Sequence, residues 1–163
     1  MKLAEAQTIA ERVKVQLAPH CERVEIAGSV RRERPEVGDI EICAIPKPYE
    51  VDLFASGIAL VVNQWEKVKG ELPCKFTQRI LPEGIKLDLF FATPENWGLI
   101  YAIRTGSADY SHCVLACGWV AHGYKSVGGM LTYDGKPVTV CDEERLYKII
   151  GKRWVHPRYR EIP

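Results

Sequence analysis

The chain has 163 residues, of which 47% are hydrophobic and 26% charged, and its formal net charge is +1. That is the make-up of an ordinary globular protein, one domain or a domain with a small appendage, long enough to bury a core. The longest apolar run, Gly57 to Val62, is far short of a bilayer span, and the N-terminal MKLAEAQTIAERVK is amphipathic rather than signal-like, so the reading is a cytoplasmic or nuclear protein with no membrane partner.

Leu3, Ala6, Ile9, Ala10, Val13 and Leu17 recur at helical spacing, which predicts a first helix ended by Pro19. A strand over Arg23 to Ala27 follows, then Gly28-Ser29 and Arg31-Arg32, a turn back through Pro35 and Gly38, and a second strand over Asp39 to Ala44. Pro46 and Pro48 break the chain before a helical stretch of about Val51 to Trp65, with Leu53, Phe54, Ile58, Val61 and Val62 as its apolar face. Val68 to Pro73 is ambiguous. Lys75 to Leu81 and Ile85 to Ala92 read as a β-hairpin around Pro82-Glu83-Gly84. Asn96 to Arg104 and Ala108 to Ala121 read as helices separated by Thr105-Gly106-Ser107, the second stopped by Gly123. Tyr124 to Val140 reads as a second hairpin turning at Tyr133-Asp134-Gly135, and Asp142 as the N-cap of a helix to Ile150. A composition change near Thr105 divides an acidic, sheet-based half from a basic C-terminal half.

The six cysteines form no CxxC pair and read as reduced, mostly buried thiols. His112, Cys113, Cys117 and His122 bring metal-binding side chains into one helical stretch, but His122 falls past its end, which argues against zinc.

The chemistry-bearing stretch is Gly28 to Ala44. Residues i and i+2 of a strand point to the same face with Cα atoms roughly 6.7 Å apart, so Asp39 and Glu41 project together. Two carboxylates about 4 Å apart repel by on the order of 4 kcal/mol at an effective dielectric near 20, and a divalent cation relieves this, since Mg²⁺ is held by one or two carboxylates plus phosphates and water. Gly28-Ser29 with Arg31-Arg32 offers backbone N–H groups, a hydroxyl and guanidinium forks suited to phosphate. Asp88 shares a strand face with Lys86 and Phe90; if that strand lies beside Asp39 to Ala44, a third carboxylate joins the pair, and three can hold two metals for in-line phosphoryl displacement. The bland alternatives are a solvated acidic strand face and an Asp88 that salt-bridges Lys86. Toward the C-terminus, Lys148, Lys152, Arg153 and Arg158, interleaved with Tyr147, Trp154 and Tyr159, are candidates for phosphate contact and ring stacking, with a helix face and frayed tail of ordinary surface charge as the bland alternative.

Gly28-Ser29 with Arg31-Arg32, Gly38-Asp39-Ile40-Glu41, Lys86-Leu87-Asp88, Thr105-Gly106-Ser107 and the His-Pro-Arg-Tyr-Arg tail together resemble, in order and spacing, the X family of DNA polymerases, the polymerase β-like branch of the nucleotidyltransferases. The resemblance implies an α+β protein: a nucleotidyltransferase palm of mixed sheet and flanking helices over residues 1–104, and a small α+β nucleotide- and DNA-binding subdomain over 105–163. It implies that Asp39, Glu41 and Asp88 are the catalytic, metal-holding acids, supported by Lys86. Two Mg²⁺ ions are implied, with Mn²⁺ as a possible substitute. Gly28, Ser29, Arg32 and Gly38 are implied to hold the β- and γ-phosphates, and Thr105 and Gly106 to pass the incoming sugar and base. The implied reaction is extension of a primer 3′-hydroxyl with dNTPs on primer-template or gapped DNA, in gap filling or repair. An N-terminal lyase domain has no counterpart, as in the smallest members of the family, and a monomer is expected.

Three departures from the family pattern involve four residues. Glu41 stands where Asp is usual, Ile103-Arg104 where an aromatic pair excludes the ribose 2′-hydroxyl, and Leu115 where an arginine probes the template base pair. Weaker sugar discrimination and low fidelity or template-independent addition are the corresponding expectations. The competing functions are a nucleotidyltransferase acting on RNA, protein or a small molecule, and a non-catalytic DNA-end-binding module.

Overall fold

The computed structural model describes residues 1–48 and 57–162. The N-terminal apolar stripe forms helix α1 (Leu3–Leu17), which buries Ala6, Ile9, Ala10, Val13 and Leu17. Pro19 has no N–H to continue the ladder, and the chain tightens into a 3₁₀ turn over Ala18–His20. Strand β1 (Cys21–Ile26), the single-turn helix α2 (Gly28–Arg31) and strand β2 (Asp39–Pro46) follow. Of the helix expected over Val51 to Trp65, the structure describes α3 (Gly57–Val62). The part up to residue 56, with Leu53 and Phe54, lies outside the described residues.

The ambiguous segment begins within an exposed edge strand, β3 (Glu66–Lys69). Strands β4 (Phe76–Ile80) and β5 (Lys86–Phe91) form the expected hairpin, and Gly84 supplies the positive φ of +78° at its turn. Among the described residues the five strands lie in the order β1-β2-β5-β4-β3. β2 and β5 run parallel, and the other pairings are antiparallel, so the sheet is mixed as expected. Ile40 and Ile42 of β2 and Leu87 and Leu89 of β5 alternate onto the face that joins the α1 residues in one core. The intervening residues, Asp39, Glu41 and Asp88, take the other face.

The chain divides into two compact units, Met1–Ala92 and Thr93–Pro163. The division precedes the composition change near Thr105 because α4 (Trp97–Thr105) contributes Leu99 and Ala102 to the second unit's own core. That core also takes residues from the continuous helical run α5 (Ala108–Tyr110), a π-helical segment (Ser111–Ala116) and α6 (Cys117–Ala121). The expected second hairpin is a three-stranded meander, β6 (Tyr124–Val127), β7 (Met130–Tyr133) and β8 (Lys136–Val138). Two turns create it rather than one. Gly128 and Gly129 take positive φ at the first, and Asp134 and Gly135 at the second, the pattern of the tight turns that match strand twist. Helix α7 (Glu143–Ile149) starts at Asp142, whose carboxylate accepts from the Arg145 N–H at 2.7 Å.

All six thiols are free, but the expectation that most are buried is corrected: Cys21 and Cys43 are buried, whereas Cys113, Cys117 and Cys141 are exposed. No helix among the described residues is long and apolar enough to cross a membrane.

Candidate active site

The acidic face is assembled by strand register. Parallel pairing sets Asp39 opposite Lys86 and Glu41 opposite Asp88, and neighbouring strands lie about 4.8 Å apart. The conditional expectation that the Asp88 strand flanks the Asp39–Glu41 strand is therefore met. Burial pushes the Asp39 carboxyl above the usual range, and repulsion from Asp88 pushes it further; Lys86 and Arg32 pull it back. The four groups thus share one electrostatic neighbourhood: Asp39 and Asp88 half-buried on the sheet face, Lys86 exposed beside them and Arg32 just past the end of α2.

Each acid is held differently. Asp88 accepts from the Gln78 amide, Nε2 to Oδ1 at 2.6 Å, across the β4–β5 pair. The sequence reading assigned support of Asp88 to Lys86 and missed Gln78, although the hairpin register about Pro82-Glu83-Gly84 sets Gln78 opposite Asp88. Glu41 leans the other way. A Cβ built on Gly28 would fall 1.7 Å from Glu41 Oε2 and 2.9 Å from its Cβ, so the glutamate side chain lies directly against the glycine. Among the described residues, no three His, Cys, Asp or Glu side chains are gathered closely enough to hold a metal ion as they stand.

Beside these acids the backbone crosses from β1 into α2. The Ala27 N–H donates to the Glu41 carbonyl at 2.8 Å, fixing the end of β1 against β2. Gly28 then turns with φ +57°, and Arg31 and Arg32 donate their N–H groups back to Ala27 and Gly28. Gly28 is therefore required twice, by its left-handed backbone and by Glu41 upon it. The Ser29 hydroxyl is buried and has no hydrogen-bond partner among the described residues, a state that disfavours the fold by about 1–3 kcal/mol. Such a group is accounted for when a ligand oxygen completes it. Gly38 is exposed, and a Cβ there would meet nothing within 4 Å, so open space precedes Asp39.

In the second unit, Thr105 is fully buried and Gly106 is wedged against Ser111 and Tyr110, where a Cβ would come 2.7 Å from Ser111 Oγ. Ser107 caps α5 by accepting from the Tyr110 N–H at 3.2 Å, and Ser111 Oγ donates to the Ile103 carbonyl. The Thr-Gly-Ser turn is thus a rigid junction between helices. Ile103 is partly buried in the unit's core and Arg104 is exposed. Leu115 is fully buried there.

Of the basic C-terminal residues, Lys148, Lys152, Arg153 and Arg158 are exposed, as are the rings of Trp154 and Tyr159. Tyr147 is not available for stacking on a base. It is buried, its hydroxyl 2.9 Å from that of Tyr110 and its ring 5.3 Å from the Arg160 guanidinium. Arg160 is fully buried and bidentate on Glu143 at 2.5 and 3.0 Å. It also donates to the Val155 carbonyl at 2.8 Å.

No protein-family model matches the sequence, and no curated protein matches it. Solved structures do match. The ternary P/T complex of Leishmania infantum polymerase β superposes with a TM-score of 0.76 at 15% identity, covering 99% of this chain and 77% of that one. The ternary gap complex of the same polymerase gives a TM-score of 0.76 at 14% identity, covering 98% and 70%. The fold is therefore polymerase β-like.

Proposed function

We propose, from the premise of a polymerase β-like fold, that this chain is a nucleotidyltransferase that extends a DNA primer 3′-hydroxyl with dNTPs, as a DNA-directed polymerase acting in gap filling or repair. The observation that carries the reading is local. Three carboxylates share one sheet face through the Asp39–Lys86 and Glu41–Asp88 register, beside a glycine turn whose buried Ser29 hydroxyl has no partner among the described residues.

A divalent ion suits the donor set. Carboxylate oxygens are the ligands of Mg²⁺ and Mn²⁺, and the repulsion between Asp39 and Asp88 is what a cation offsets. Asp39 and Asp88 would hold such ions, two in all, joined by Glu41 once its side chain turns off Gly28. When bound, they would polarise the reacting phosphate and lower the pKa of the attacking hydroxyl.

The chain's own residues do the positioning. Ser29, Arg32 and the Gly28 backbone receive the β- and γ-phosphates, and the open approach at Gly38 leaves room for them. Gln78 fixes one oxygen of Asp88, which leaves the other to face substrate. Lys86 and Arg32 hold Asp39 toward its ionised form. Thr105 and Gly106 offer a stiff backbone edge to the sugar and base. Lys148, Lys152, Arg153 and Arg158 make salt-dependent contacts with the DNA backbone. Such a site works by orientation and charge stabilisation rather than by covalent chemistry.

An acceptor panel tests the class of reaction. Incorporation of labelled dNMP and NMP is measured with Mg²⁺ or Mn²⁺ on gapped, recessed and single-stranded DNA, on RNA and on protein. Transfer to DNA in template order supports the proposal. Transfer confined to RNA or protein assigns the fold to another nucleotidyltransferase, and DNA binding without transfer assigns it to a binding module.

A further inference from the structure

The sheet buries a second cationic group that the acidic site does not use. Arg79 is 2% exposed. It follows Gln78 on β4, so it points to the face opposite Asp88. Its hydrogen bonds are to neutral groups, Nε to Thr77 Oγ1 at 3.1 Å and Nη2 to the Gly70 carbonyl at a long 3.4 Å. Thr77 Oγ1 is itself committed, its single proton shared between the Lys69 and Gly70 carbonyls. A guanidinium has five N–H donors. No carboxylate among the described residues lies within ion-pair distance of this one; the Glu71 carboxylate feels Arg79 only at longer range. A buried charge without a counter-ion is strongly disfavoured.

Arg79 lines an open polar cavity of about 590 Å³, together with Asn63, Gln64, Trp65, Lys67 and Glu71; Glu66 also borders it. The cavity therefore presents a buried guanidinium, an ammonium and two side-chain amides. Two carboxylates, Glu66 and Glu71, line it as well; Glu71 pairs with Lys67, and its side chain is 71% exposed.

We infer that this cavity is a binding site for a phosphate-class oxyanion, separate from the acidic face. The oxyanion takes the unused N–H donors of Arg79 in a fork and the ammonium of Lys67, with Asn63 and Gln64 completing its hydrogen bonds. Glu71 is the internal stand-in that the ligand displaces from Lys67. The same chemistry is offered by free phosphate and by the phosphate of a nucleotide, and the two are separable by titration.

The test is residue-resolved NMR of the full ¹⁵N-labelled chain titrated with inorganic phosphate and, separately, with a deoxynucleoside monophosphate. The expected result is saturable shifts at Trp65, Gly70 and Thr77 that are distinct from any at Ser29. Affinity should fall about tenfold or more in Arg79→Gln. It should rise about two- to fivefold in Glu71→Gln, which removes the competing carboxylate. Equal affinity for the two ligands assigns the site to free phosphate, and tighter nucleotide binding assigns it to nucleotide. Absence of saturable shifts at these residues overturns the inference, as does binding that survives Arg79→Gln. If Arg79→Gln does not fold, Glu71→Gln decides, because unchanged or weaker binding there also overturns it.

Discussion

At the scale of single residues, the acidic face is a compromise between folding and function. Asp39 carries a carboxyl pushed upward by burial and by Asp88, so the fold without metal bears a repulsion that Lys86 and Arg32 only partly offset. Asp39→Asn should remove it. We expect the metal-free variant to be more stable by up to about 1 kcal/mol, a rise of a few degrees in Tm by calorimetry, while nucleotidyl transfer is lost. Gly28 tests the neighbouring contact. Gly28→Ala places a methyl into Glu41 and forces a left-handed alanine, and should destabilise the chain by about 1–3 kcal/mol in urea unfolding. Paired with Glu41→Asp, which shortens the opposing side chain, part of that loss should return, leaving the φ strain. The shared face of Asp39 and Glu41 was legible in the sequence because spacing on a strand dictates it. Gln78 was not read, since an amide on a strand has no signature of its own. The direction in which Glu41 turns depends on how β1 crosses β2, a tertiary fact that no local pattern encodes.

At the scale of elements, what repeats with a period was readable and what depends on distant partners was not. The stripe of α1 and the alternation of β5 name their own buried residues. The Asp142 cap and the Pro82-Glu83-Gly84 turn were equally plain. Gly128-Gly129 is a turn signal in its own right, but β6 to β8 are only three or four residues each, too short for alternation to mark three separate strands. The C-terminal segment reads in sequence as a basic tail, and two of its residues, Tyr147 and Arg160, depart from that reading for a clear reason. Arg160 is not a surface charge but the centre of a buried cluster, paired with Glu143, with Tyr147 and Trp154 each 5.3 Å away on their rings. Trp154 Nε1 donates to the same glutamate at 3.1 Å. Truncating one member of a buried pair strands the other charge, so Arg160→Ala should cost about 3–5 kcal/mol. Hydrogen exchange should show the loss of protection centred on α7.

At the scale of the whole molecule, the modest net charge conceals a division of labour. The first unit carries the acidic face, and the second carries exposed Lys148, Lys152, Arg153 and Arg158 on and after α7. If these residues contact DNA phosphates, the double variant Lys152→Ala, Arg153→Ala should weaken binding alike for all sequences. It should also reduce the slope of log K against log salt by about 2. An unchanged slope in fluorescence anisotropy would remove both residues from the DNA interface. Either result leaves the fold intact, because both side chains are exposed.

The most direct test of the account is template-directed primer extension on gapped DNA with Mg²⁺, comparing the native chain with Asp88→Asn. That substitution keeps the shape of the side chain and removes its charge. The account predicts extension by the native chain and a loss of at least about a thousandfold in the variant, with unchanged circular dichroism, in keeping with the share of a barrier that electrostatic preorganisation supplies. Extension that persists in a folded Asp88→Asn protein would contradict it, because the three-carboxylate face would then not be the seat of the chemistry.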